Sequence, residues 1–176
     1  DYAIEQFKLG NALDAAGNTA QAREHWSNIK RDDDPKTYAK AQFNLGCDFD
    51  DEGDTAQAHA HWSNIKREDN VEVYVGAQFN LGNNFDDEGN TAQACEHWSN
   101  IKRDDDAEVY ASAQFNLGVS FNEEGNTVQA RKHWGKITSK DDLQQYVKAQ
   151  LNLGTSFYKE GNIEQARVHW GNIKRD

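Results

Sequence analysis

The 176-residue chain carries 30 acidic against 19 basic side chains, a net charge of −11, which argues against nucleic acid or an anionic membrane as partner. No run approaches the roughly 18 apolar residues of a membrane span, and the opening "DYAIEQ" is not a signal peptide. Cys47 and Cys95 have no CxxC partner and no histidine at ligand spacing, so they read as two free thiols in a reducing, cytoplasmic compartment rather than as a metal or redox motif.

With no methionine anywhere, the sequence reads as a processed chain or a fragment. It begins inside a helix that contains "EQFKLG" at 5–10. Better-kept copies of this block follow at 41–46, 77–82 and 113–118 ("AQFNLG") and at 149–154 ("AQLNLG"), one every 36 residues. A fixed period in this range means stacked units rather than one ordinary domain. The predicted organisation is a single array over 1–176, with repeats near 1–33, 34–69, 70–105, 106–141 and 142–176.

Each repeat reads as two helices. Asp34, Asn70, Asp106 and Asp142 are predicted N-caps of the first helix in repeats two to five, with Pro35 suited to a first helical position. Gly17, Gly53, Gly89, Gly125 and Gly161 are predicted to end the first helices, supplying the left-handed turn that other residues resist. The second helices begin at once, with Asn18/Gln21, Asp54/Gln57, Asn90/Gln93, Asn126/Gln129 and Asn162/Gln165 forming a variant capping box. They are expected to run through "HWSNIKR" into charged loops such as "DDDP", whose acids read as caps or as solvated charge. No segment alternates like a strand, so the fold class is all-α.

At 100° per residue, Tyr38, Ala39, Ala41, Phe43, Leu45, Gly46 and Phe49 cover an arc of roughly 200° on the first helix of repeat two. Gln42 is the polar exception within it. The second helix carries a narrower stripe of Ala58, Trp62 and Ile65, so the Trp column is read as core. Neither helix can bury its apolar face alone, and the hairpins must stack. The column left exposed holds positions 40, 44, 47, 48 and 51. Four of these drift between copies, whereas position 44 returns as Asn80, Asn116 and Asn152, with Lys8 the one departure.

The pattern L-G-x-x-F-x-x-x-G-[ND]-x-x-Q-A-x-x-H-W-x-x-I resembles the tetratricopeptide repeat across essentially the whole chain. Leu45, Gly46, Phe49, Gly53, Ala58, Trp62 and Ile65 stand at that family's signature positions. The "AQFNLG" block is more similar to the Sel1-like branch of the superfamily. The period is 36 rather than 34, Gln42 replaces a large apolar residue, and the longer Sel1-like turn is absent. The resemblance implies a right-handed α-α solenoid of about five helix-turn-helix repeats. Its concave surface would be lined by the first helices and would bind peptides or partner proteins without catalysis or cofactor. It also implies that Asn44, Asn80, Asn116 and Asn152 match a ladder of amides that hydrogen-bond a peptide backbone, which Lys8 would break in the first repeat.

The residues agree with that implication, since an amide offers both a donor and an acceptor to any peptide bond. Charge would supply selectivity. Residues 41–76 and 77–112 each hold eight acids against two bases, whereas the flanking repeats are near neutral. Around the amides stand Asp48, Asp51, Asn83 and Asp87 in repeats two and three, then Glu123, Lys148 and Lys159. The expected partner is therefore a protein or peptide with basic residues facing repeats two and three and an acidic or carboxylate group nearer the end. The other reading is a purely structural spacer within a larger protein, supported by solenoid ends that could self-associate. His25, His61, His97, His133 and His169 would lie roughly 10 Å apart on separate helices, too far to share a metal. No arrangement of carboxylates suggests a calcium site or a catalytic pair.

Overall fold

A computed structural model describes residues 2–173. Among them are ten helices and no strand. In chain order these are α1 (Tyr2–Ala15), α2 (Thr19–Ser27), α3 (Pro35–Asp51), α4 (Thr55–Ser63), α5 (Val71–Asp87), α6 (Thr91–Ser99), α7 (Ala107–Glu123), α8 (Thr127–Trp134), α9 (Leu143–Lys159) and α10 (Ile163–Gly171). Long first helices alternate with short second ones, and the hairpins stack as in a tetratricopeptide-like α-solenoid. Packing divides the chain into two compact units, residues 1–84 and 85–176.

Local chemistry sets the helix starts where the sequence predicts them. Asp34 accepts from the Lys36 and Thr37 amides, Asp106 from Val109 N and Asp142 from Gln145 N, and Asn70 accepts from Val73 N at 3.2 Å. The second helices are capped in the same way by Asp54, Asn90, Asn126 and Asn162, while the Asn18 side chain makes no capping bond. The glycine turn is confirmed in all five hairpins, with φ of +79° at Gly53, a conformation that costs a residue with a Cβ.

The second helices are shorter than expected. They stop at or next to the residue after Trp, and Asn28, Asn64, Asn100 and Asn172 close four of them. Ile29 N and Ile65 N then bond to Trp26 O and Trp62 O, three residues back, which tightens the exit. The isoleucine thus lies beyond the helix yet remains a core anchor, with Ile29, Ile65, Ile101 and Ile137 all buried.

In the first unit, Ala41 and Leu45 of α3 pack into the α1–α2 hairpin against Trp26 and Ile29. In the second unit, Ala149 and Leu153 of α9 meet Trp134 and Ile137 in the same way. In each unit, then, one hairpin completes its core with the first helix of the next. Within a hairpin, the Trp62 ring lies so close to α3 that a Cβ on Gly46 would collide with its indole, and Gly10, Gly118 and Gly154 face Trp26, Trp134 and Trp170 identically. These glycines sit in ordinary helix, so contact rather than φ requires them.

Gln42, the exception in the apolar arc, is buried, as are Gln78, Gln114 and Gln150. Its Oε1 accepts from His61 Nδ1 at 2.9 Å and from Asn64 Nδ2 at 3.2 Å. Gln150 repeats both bonds with His169 and Asn172, Gln114 bonds to His133, and Gln6 bonds to His25. His61, His133 and His169 also stack on Phe49, Phe121 and Phe157. Four members of the histidine column, read from sequence as packing beside Trp, thus form hydrogen-bonded staples between the two helices of their hairpins. Burial lowers the basicity of His61 and His169, and brings His133 down to about 4.

Candidate partner-binding clefts

Two clefts occupy equivalent places, one in each unit. The first lies between α1 and α3 and has a volume of about 210 Å³; Asn44 and Asp51 line it beside Asn11, Asp14 and Cys47, with Trp26 at its floor. The second lies between α7 and α9 and measures about 280 Å³; Glu123, Asn152 and Lys159 line it with Val119 and Thr155, above Trp134. Helical spacing produces both. Positions 44 and 51 are seven apart, two turns along one face, while position 47 of the preceding helix supplies the facing wall. The tryptophans are core residues, each 2% exposed, whose edges close the clefts.

The repeated asparagines are half-buried at all four positions. Asn44 Nδ2 donates to Asn11 Oδ1 at 3.1 Å, and that same oxygen accepts from Trp26 Nε1 at 3.0 Å. Asn44 is therefore braced by the preceding repeat and keeps its carbonyl oxygen for an incoming donor. Asn152 faces Val119 where Asn44 faces Asn11, and it has no hydrogen-bonding partner among the described residues. Asn83 is half-buried, whereas Lys8, Asp87 and Lys148 are exposed, and Lys148 Nζ rests 5.8 Å from the Phe115 ring centroid.

Asp48 departs from the expectation of an exposed acid. Its carboxylate pairs with Arg23 of α2, whose guanidinium also reaches Glu52 at 2.8 Å and stacks on Phe49 at 4.1 Å. Its counterparts Ser120 and Ser156 are buried. An angle about its own helix marks position 48 as outward, but the neighbouring hairpin covers it. Arg131 makes the matching joint in the second unit, bonding to Ser156 Oγ and O at 2.9 Å and to Glu160 at 2.8 Å.

The loop acids are likewise not all solvated. Asp69 is 4% exposed, accepts from Lys66 N and pairs with Arg31 of the preceding loop at 3.2 Å. Asp141 takes the same part opposite Arg103 at 3.0 Å. Sequence reading missed these joints, although the recurrence of Arg31, Arg67 and Arg103 at one register was visible.

Uncompensated negative charge gathers beside the second cleft. Burial, and then the like charges of Glu123 and Asp87, push the Asp86 carboxyl above its ordinary value. A cation placed there would relieve that repulsion. Burial also raises the Cys47 thiol to about 11 despite its position in the first cleft, so it is a poor nucleophile at neutral pH. Among the described residues no cluster of histidine, cysteine and carboxylate could hold a metal ion, and no helix is long and apolar enough to cross a membrane.

Two tetratricopeptide repeat family models match the chain, one at residues 112–142 and the other at 6–27. Together with the hairpin geometry, they support a tetratricopeptide repeat family. The matched segments are the α7–α8 region with the start of the next repeat, and the first hairpin. The solved structure titled "Crystal structure of MamA" aligns with a TM-score of 0.66 over 93% of this chain and 91% of that one, at 16% sequence identity. At that identity the likeness speaks to the fold alone. Comparison with curated protein sequences finds no match.

Proposed function

We propose that the chain is a protein-protein interaction module that takes an extended segment of a partner against its first helices. The reading rests on one observation above all: two separate units form the same cleft, each with an asparagine at position 44 or its equivalent and a charged residue two turns on. Tetratricopeptide repeats generally mediate contacts between proteins, and nothing in either cleft has the donor set of a metal or catalytic centre.

Within this reading, Asn152 and the free carbonyl of Asn44 hydrogen-bond the partner's main chain, with Asn80 and Asn116 at the same register. Asp51, Asp87 and Glu123 favour lysine or arginine side chains. Lys159, Lys148 and Lys8 receive acidic or carboxylate groups. Asp48 is spent on Arg23, so its part is to hold the cleft wall. Exposed charge pairs contribute only about 0–1 kcal/mol each, so the acids steer and orient more than they grip.

The alternative, a purely structural array, draws on the Asn44–Asn11 hydrogen bond, which gives that amide work inside the fold. Binding of a lysine- and arginine-containing peptide array to wild type and to a D51N/D87N/E123Q variant tests the proposal. Selective loss of the basic peptides in the variant, at unchanged thermal stability, supports it. Equal binding by both proteins, or none by wild type, rejects it.

A further inference from the structure

Repeat four breaks the charge pattern of its siblings at three positions spaced four residues apart. Where repeats one and three carry Glu24, Asn28, Asp32 and Glu96, Asn100, Asp104, repeat four carries Lys132, Lys136 and Lys140. In a chain of net charge −11 this is a local reversal. The helix dipole does not call for it. A cation in the last turn is favourable, but the other four second helices supply only a histidine there, whereas α8 ends in Arg131, Lys132 and His133. Nor does the hairpin staple need it. Asn64 and Asn172, at the register of Lys136, donate to Gln42 and Gln150. With a lysine in that place, Gln114 keeps only the bond to His133.

Lys136 is the half-buried member of the three. Burial, and then the like charge of Lys132, hold its ammonium below the ordinary lysine value, and both lysines add to the effect of burial on His133. None of the three ammonium groups has an ion-pair partner among the described residues. Lys136 lines an open cleft of about 300 Å³ with Ser99, Lys102 and Arg103 on one side and Tyr110 and Gln114 of α7 on the other. Arg103 is already engaged: it pairs with Asp141 at 3.0 Å, lies over the Tyr110 ring and donates to Lys136 O. The ammonium groups of Lys102 and Lys136 are left for an incoming group, and a single acid, Asp104, lines the cleft beside them. Lys30 and Lys66 line the equivalent cleft of the first unit, but the positions matching Lys132 and Lys140 there are Ala60 and Glu68.

We propose that the cleft at Lys136 binds an acidic segment of a partner protein, with Lys102, Lys132 and Lys136 receiving its carboxylates. It shares no residue with the α7–α9 cleft, so it is a second site, separate from the one proposed to hold a partner's main chain. Carboxylates placed there offset the repulsion among the lysines. The acidity of the rest of the chain restricts the occupant to a short segment. A long polyanion such as a nucleic acid would carry its charge past the lysines and onto surrounding acids.

The probe is rhodamine-labelled hexaglutamate, titrated into the intact protein and followed by anisotropy, with labelled hexaglutamine as the uncharged control. Saturable binding of hexaglutamate is expected, weakened about fivefold in Lys136→Asn, the equivalent of one partly exposed charge pair, and further in K132E/K136N. Lys136→Arg should bind as wild type does. Lys136→Asn restores the residue that the other repeats carry, so its melting temperature should equal or exceed that of wild type. No preference for hexaglutamate over hexaglutamine, or equal binding by Lys136→Asn, overturns the proposal. So does a lower melting temperature in Lys136→Asn, which would make the lysine structural. A wild-type dimer in sedimentation that K132E/K136N dissociates also overturns it, because acids of a second copy would then hold the cleft.

Discussion

The Nδ1 of His61 and the Oε1 of Gln42 are 2.9 Å apart across the α3–α4 hairpin. A carbonyl oxygen can only accept, so His61 carries its proton on Nδ1 and leaves Nε2 basic. Burial opposes protonation there, and the charge of Arg23 adds to it; at His133 the added charges are Lys136 and Lys132, and at His169 it is Arg131. Folded values below the unfolded value of about 6.5 mean that the unfolded chain binds protons first as pH falls. These histidines thus contribute stability that is fully present above about pH 6.5 and, for His133, is lost down to about 4. Urea midpoints measured from pH 7.5 to 4.5 should fall below pH 6.5, and His133→Gln should flatten the decline. An unchanged slope in that variant would contradict this account.

Gln42→Leu tests the same staple from its other side. It would leave the His61 and Asn64 donors without their acceptor in a half-buried setting, at a cost of roughly 1–3 kcal/mol. Chemical denaturation should show a lower midpoint with an unaltered slope. A neutral result would mean that water or a shifted Asn64 replaces the amide.

A methyl group at Gly46 or Gly118 would run into the indole of Trp62 or Trp134. Gly→Ala inside a helix ordinarily stabilises by about 0.5–1 kcal/mol through propensity. Here the sign should reverse, because overpacking costs about 1–3 kcal/mol. Thermal melts of Gly118→Ala should show a lower Tm. The same substitution in a Trp134→Leu background should cost less, since the smaller side chain makes room.

The contrast between these sites explains what could be read from sequence. Caps such as Asp34 and turns such as Gly53 act within a few residues, so local chemistry identifies them. The hairpin period followed from repetition alone. Gln42 was opaque because a helical arc classifies it only by polarity, and its partners lie 19 and 22 residues away. Asp48 misled for a related reason: an angular count describes one helix in isolation, and the Arg23 that covers this position comes from the hairpin before it. That Asn44 and Asp51 line one cleft was legible because they share one helix face, while Asn11 and Val119, which set the surroundings of each asparagine, belong to a neighbouring helix.

Arg131 joins one repeat to the next through Ser156, Glu160 and the Phe157 ring, whose centroid is 3.9 Å from its Cζ. Arg131→Ala should destabilise the second unit by about 1–2 kcal/mol through lost hydrogen bonds and stacking. Arg131→Lys should recover little of this, since an ammonium cannot make the forked contact. Because the arginine is mostly covered, salt should weaken the effect only slightly. Equilibrium unfolding in low and high salt would show whether the joint depends on screened charge instead.

Asn44 and Asn152 occupy the same register but have different neighbours, and this separates a structural role from a binding one. Asn44→Ala removes a hydrogen bond to Asn11, with an expected loss of about 0.5–1.5 kcal/mol. Asn152 faces Val119 and has no bond to lose, so Asn152→Ala should leave stability within about 0.5 kcal/mol. If the amides serve a partner's backbone, Asn152→Ala should nevertheless weaken partner binding severalfold. Thermal melts beside binding measurements on the two variants provide the comparison. Loss of binding in Asn152→Ala at wild-type stability would favour the groove, whereas wild-type binding by that variant would leave the repeated asparagine to the architecture.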